Sequence, residues 1–96
     1  MTTETLPFDS ARHLETEEDI VFYIRAVLEE NDPALLCHAL GQVARAKGMT
    51  QLARDTGLAR EALYRALSAD GNPELATVMK VLKALGLRLS AEPARS

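Results

Sequence analysis

The chain has too little cysteine to be held together by disulfides. A single thiol, Cys37, occurs in 96 residues, which excludes an internal disulfide and any multi-cysteine metal site. Tryptophan is absent, and two tyrosines and two phenylalanines are the only aromatics. That leaves no platform on which successive bases of a single strand would stack. No apolar run approaches the roughly 20 residues of a membrane span, and the N-terminus lacks a basic-then-apolar secretory signal. The expectation is a cytoplasmic protein with no membrane partner. There is no glycine-rich phosphate loop. His13 and His38 stand far apart in the chain. Cys37 and His38 are adjacent, so on a helix they would point about 100° apart. With no nucleophile–base pair and no metal-ligand spacing, the sequence predicts neither an enzyme nor a metal or cofactor site.

What remains is an ordinary globular composition, 47% hydrophobic and 26% charged, at a length that holds one small domain. The net charge of −3 hides an asymmetry. Residues 1–32 carry nine acids against two bases, a balance of −7, whereas residues 33–96 carry five acids against nine bases, a balance of +4. Such a division suggests two surfaces for two kinds of partner, one able to meet phosphate and one able to meet a basic protein or simply stay solvated.

Helix start and stop signals recur along the chain. Residues 1–15 read as an N-terminal arm, with Leu6 and Phe8 able to dock on the core and Pro7 arguing against a helix there. Thr16 with Asp19 approximates a capping box, and Glu17, Glu18 and Asp19 complement the dipole of a first helix. Ile20, Ile24, Val27 and Leu28 define its inward face. Asp32-Pro33 opens a second helix with a cap followed by proline, Leu36, Leu40 and Val43 form its apolar stripe, and Gly48 stops it. Thr50 is expected to cap a third helix ending at Gly57. Asn72-Pro73 repeats the cap-plus-proline signal for a fifth helix, roughly residues 73–85, with Leu75, Val78, Met79, Leu82 and Leu85 inward. Leu87-Arg88-Leu89-Ser90-Ala91 alternates apolar and polar residues, a weak strand signal. Such a strand needs a partner: the Leu6 region, a second copy or another protein. The alternative is a tail without regular structure.

The stretch from Thr50 to Leu67 carries the functional signal. Ala53 is small where two helices would cross, Gly57 supplies the turn, and Leu58 plugs the angle between them. Leu63 and Leu67 lie four apart on one face of the following helix, about residues 59–67, which turns Arg60, Glu61, Tyr64 and Arg65 outward. A recognition helix needs this division into inward anchors and outward donors. An ordinary helical hairpin has the same spacing, so the rest of the chain has to discriminate. Five helices around one core, with the tight turn between the third and fourth, match an all-α, lambda-repressor-like DNA-binding domain over residues 16–86, followed by a short strand or tail over 87–96. Fold alone does not fix function.

The sequence also resembles a known family, the addiction module antidote proteins, small antitoxins of type II toxin–antitoxin modules with a lambda-repressor-like helix-turn-helix. The resemblance covers nearly the whole chain. It rests on Pro7-Phe8-Asp9, Thr16-Glu17-Glu18-Asp19-Ile20, Asp32-Pro33-Ala34-Leu35, Ala39-Leu40-Gly41 and Ala44-Arg45-Ala46-Lys47-Gly48-Met49. It continues through Gln51-Leu52-Ala53, Thr56-Gly57-Leu58, Arg60-Glu61, Leu63-Tyr64, Ala66-Leu67-Ser68, Gly71-Asn72-Pro73 and Val81-Leu82-Lys83-Ala84-Leu85-Gly86-Leu87. The strings after Gln51 and around Gly71-Asn72-Pro73 are the most specific. Ala59 departs from the pattern, because such proteins often carry a serine there that caps the recognition helix and touches a phosphate.

The resemblance implies a small basic toxin partner of the RelE/ParE type, encoded nearby, and autorepression of the operon through operator DNA. On this reading Gln51, Arg60, Glu61, Tyr64 and Arg65 are the candidate DNA-facing residues. Arg60 would make a base or phosphate contact, Tyr64 and Arg65 would follow from the next turn, and Gln51 would brace the helix against a backbone phosphate. Ala53, Gly57, Leu58, Leu63 and Leu67 form the motif's framework. One small reader seldom supplies enough specificity, so a homodimer on two half-sites is expected, its seam on the fifth helix and residues 87–91. The acidic first helix with the N-terminal arm is the expected toxin contact. Two other readings stay open: a protein-only adaptor without DNA binding, and a prophage-type transcriptional regulator without a toxin.

Overall fold

The first two helices begin where a capping side chain closes the first turn. In the computed structural model, which describes residues 14–94, the order is α1 Glu17–Leu28, α2 Pro33–Lys47, α3 Met49–Thr56, α4 Arg60–Ala66 and α5 Leu75–Ala84. The fold is all-helical, with no strand among the described residues. The expected contacts of Leu6, Pro7 and Phe8, and the position of His13, lie outside the described residues.

At the start of α1, the Thr16 hydroxyl accepts the Asp19 N–H at 3.0 Å and the Asp19 carboxylate accepts the Thr16 N–H at 3.1 Å. The capping box therefore closes with aspartate in the place usually taken by glutamate. Ile20, Tyr23, Ile24 and Val27 are buried. Leu28, expected on that face, is 40% exposed; it lies about 100° round the helix from Val27. Tyr23 completes the buried stripe in its place. The turn after α1 passes through Asn31, a non-glycine residue in the left-handed region with φ 55.

Asp32 then caps α2 by accepting the N–H groups of Ala34 and Leu35 at 3.1 and 3.2 Å, with Pro33 at the first helical position. Leu40 and Val43 are fully buried on its inward side, with Ala39 and Ala44 beside them, while Leu36 is half-buried.

Gly48 ends α2 and begins α3 at once, at φ 109. Thr50 does not cap α3 as expected; it sits within the helix, exposed. The left-handed turn at Gly48 lets Met49, buried at 6%, anchor the first turn of α3 apolarly. The start of α5 is corrected similarly. Pro73 lies outside the helix, and extended Glu74 occupies the N-cap position with no side-chain bond. The expected inward face of α5 is also rotated. Val81, Leu82 and Leu85 are buried, while Leu75 and Met79 are 66% and 52% exposed. The face that packs runs Val78, Val81, Leu82, Leu85, again a spacing of three and four.

No strand follows α5. The Leu87 N–H bonds back to the Leu82 carbonyl at 2.8 Å and the Gly86 N–H to Lys83 at 3.0 Å, with Gly86 at φ 81. This pair of bonds closes the helix end and turns Leu87 inward, half-buried against the core. Residues 87–94 then run without regular structure, and Glu92 approaches Arg25 of α1 at 3.8 Å. α1 packs on α2, while α3 touches α2, α4 and α5. α3 is thereby a hub, and α4 is carried on it. No helix among the described residues is long and apolar enough to cross a membrane.

Candidate nucleic-acid interface

The α3–α4 pair is built around a three-residue turn, Gly57 to Ala59. Gly57 adopts φ 76, ψ 13 and its N–H bonds to the Ala53 carbonyl at 2.9 Å, ending α3 in the left-handed conformation that glycine favours. Thr56 adds a clip that the sequence reading missed. Its hydroxyl donates to the Leu52 carbonyl at 2.8 Å and accepts the Leu58 N–H at 3.2 Å, so one side chain joins the end of α3 to the turn. The signal available in the sequence was a threonine before the turn glycine, a residue suited to such local bonds. Leu58 is half-buried against the core, as is Ala53. Leu63 and Leu67 are buried at 0% and 1%. Gly57 thus makes the turn, Leu63 and Leu67 belong to the core, and Ala53 and Leu58 pack against it.

The outward side of α4 holds Arg60, Glu61, Tyr64 and Arg65, all exposed. The Arg60 guanidinium lies 5.9 Å from the centroid of the Tyr64 ring, one helical turn on. This is a cation–π approach at the edge of its useful range, and it biases both side chains toward one side of the helix. No carboxylate is within ion-pair distance of Arg60 or Arg65 among the described residues. Gln51 is exposed on α3, but its Nε2 donates to the Asp55 carboxylate at 2.8 Å. Gln51 therefore stands apart from the α4 group in character. One of its amide hydrogens is committed, and a negative charge sits beside it. Ala59 is extended at φ −69, ψ 145, the geometry of a helix cap, yet supplies no side-chain bond to α4.

Two glycines bring α4 close to its neighbours. A Cβ on Gly41 of α2 would overlap the carbonyl oxygen of Leu67, the residue that ends α4. The Arg45 guanidinium lies alongside, 3.3 Å from that Cβ position. Arg45 therefore belongs at the C-terminal end of α4, a placement that the sequence reading did not make; the only sequence clue was its position four residues after Gly41. A Cβ on Gly71 would overlap the Ala66 carbonyl, so the chain leaving α4 folds tightly back on it. The Gly71 carbonyl also accepts a weak bond from the Cys37 thiol at 3.9 Å. Cys37 is a packing residue in α2, buried, and burial pushes its thiol pKa up. His38 is exposed and meets Gln42 at 3.4 Å. Among the described residues no three His, Cys, Asp or Glu side chains converge as metal ligands.

Comparison with known proteins gives two findings. A family model described as "Probable addiction module antidote protein" matches residues 4–93. A protein of Haemophilus influenzae, described as uncharacterized, is 50% identical over 95 residues, covering 99% of this chain and 98% of that protein. No solved structure matches the chain significantly.

Proposed function

This chain belongs to the addiction module antidote family, and from that premise we propose that it is the antitoxin of a type II module that represses its own operon through sequence-specific DNA binding. The observation that carries the DNA half of the proposal is the division of α4. Leu63 and Leu67 are locked in the core, while Arg60, Tyr64 and Arg65 are exposed and the two arginines have no carboxylate within reach among the described residues. α3, the turn and α4 act as a helix-turn-helix in a lambda-repressor-like domain, and α4 enters the major groove. A guanidinium reads guanine through two parallel bonds, each good contact discriminating by about 1–3 kcal/mol. Glu61 opposes phosphate and tightens selection against misplaced backbone. Gln51 braces the complex only if its remaining amide hydrogen reaches a phosphate past Asp55. Arg45 adds positive charge where α4 ends.

A single α4 supplies few base contacts, so the operator-bound form is a homodimer. Its seam includes Leu75 and Met79, which α5 leaves exposed one helical turn apart. The other half of the function is neutralisation of a small basic toxin of the RelE/ParE type in the cytoplasm, a binding role without catalysis.

Retardation of the chain's own promoter fragment at two salt concentrations tests the DNA half. Replacing Arg60 or Arg65 with alanine is expected to weaken binding. Loss of a phosphate contact lowers the salt slope by about one, whereas loss of a base contact relaxes specificity at one position. Binding unchanged by both substitutions removes these residues from the interface. A wild-type chain that binds the neighbouring gene product but never retards its promoter is a protein-only adaptor.

A further inference from the structure

The apolar stripe of α1 is complete without Phe22. Ile20, Tyr23, Ile24 and Val27 face the core, and Phe22 stands on the outer side at 69% exposure, the most exposed of the large apolar side chains among the described residues. Phe22 lines a shallow depression of about 330 Å³ with Glu17, Glu18, Val21 and Arg25. An exposed ring that the fold does not need, framed by charge, is the composition of a binding hot spot rather than of a solvated helix face.

The frame is acidic. Glu17 and Glu18 are exposed at its N-terminal edge and Glu29 stands beyond it on the next turns. Its one base, Arg25, is offset by Glu92 at 3.8 Å. This arrangement repels phosphate and acidic proteins. It also disfavours a second copy of the chain, since a two-fold contact would bring the same carboxylates together. It suits a basic protein that offers an apolar pocket to the ring.

We infer that the Phe22 face of α1 is the docking surface for the basic toxin, with Phe22 as the anchor and Glu17 and Glu18 as the steering charges. The inference rests on the antitoxin reading above, which identifies the basic partner as a toxin. Docking here leaves α4 uncommitted, so one chain engages DNA and toxin through separate faces.

The test is calorimetric titration of the full chain with the product of the adjacent reading frame, beside promoter retardation and thermal melting. Phe22→Ala is expected to raise the toxin Kd about 30-fold, the effect of losing a hot-spot residue. Glu17→Lys with Glu18→Lys raises the toxin Kd, more at low salt than at high. For Phe22→Ala, retardation and melting stay as in the wild type. A toxin Kd within twofold of the wild type for Phe22→Ala overturns the surface while leaving the antitoxin reading intact. A fall in melting temperature for Phe22→Asp without a change in toxin affinity also overturns it, because part of this same chain then covers the ring. A wild-type chain that fails to bind the adjacent product overturns the antitoxin reading itself, and the docking surface with it.

Discussion

Gly41→Ala separates helix propensity from packing, because the two predict opposite signs. Gly41 lies inside α2, where alanine is ordinarily better than glycine by about 0.5–1 kcal/mol. Its added methyl, however, would overlap the Leu67 carbonyl oxygen, and Leu67 ends α4 and is 1% exposed. The obstacle is backbone, so no flexible side chain can swing aside. Overpacking of this kind costs about 1–3 kcal/mol. Close overlap places this site toward the upper part of that range, and after the propensity gain the net loss is about 1–2 kcal/mol. For a domain of this size each kcal/mol moves the melting temperature by about 4–8 °C. Ala46→Gly is the control. Ala46 is exposed in the same helix, so that change should destabilise by about 1 kcal/mol through propensity alone. Circular dichroism melts of the three chains decide the matter. If Gly41→Ala melts above the wild type, the close approach of α2 to α4 is refuted. If it melts below, promoter affinity should also fall, since the end of the proposed recognition helix has been pushed off its seat.

Three further outcomes follow from the same geometry. Ala59→Ser, at a position already extended as a cap requires, should stabilise the chain by about 1 kcal/mol in urea titration; no gain would mean that the N-terminus of α4 finds another acceptor. Thr56→Val removes the acceptor of the Leu58 N–H and the donor to Leu52. It should cost about 1–3 kcal/mol by leaving a part-buried N–H unsatisfied, and hydrogen exchange at Leu58 should accelerate. Burial pushes the Tyr23 hydroxyl and the Cys37 thiol above their ordinary values, so the native chain holds both protons longer than the unfolded chain does. Their contribution is complete at neutral pH and stability falls as pH rises through the ordinary thiol and phenol values of 9.0 and 10.0. A thiol reagent should accordingly react slowly with native Cys37 at pH 8 and fast in guanidinium.

Local chemistry was legible wherever the residue and its partner lie within one turn of each other. Thr16 with Asp19, Asp32 with Pro33, and Gly57 each fixed a boundary within a residue of its place, because caps and left-handed turns are closed by neighbours in the chain. The inward positions of Leu63 and Leu67 followed from spacing four on a short helix with only one apolar face. The sequence reading failed where two faces competed. Leu28, Leu75 and Met79 are apolar and correctly spaced, yet they face out, because the stripe that packs is chosen by the neighbouring helix and not by hydrophobicity alone. The alternation over residues 87–91 looked like a strand only because the sequence does not show that the Leu87 N–H is already taken by Leu82.

The candidate interface divides the same way. The identities of Arg60, Glu61, Tyr64 and Arg65 as the outward set were fixed by periodicity within α4. The company each keeps was decided in three dimensions: Arg60 leaning toward Tyr64, Gln51 committed to Asp55, and Arg45 brought to the end of α4 across Gly41. The sequence by itself therefore determined the number of helices, most of their ends and the residues of the exposed face, since those depend on interactions a few residues long. Only the tertiary structure decided which apolar stripes are buried, that α3 is the hub, and that Phe22 stands outside a core already complete without it. Those outcomes depend on contacts between residues distant in the chain, which no local pattern encodes.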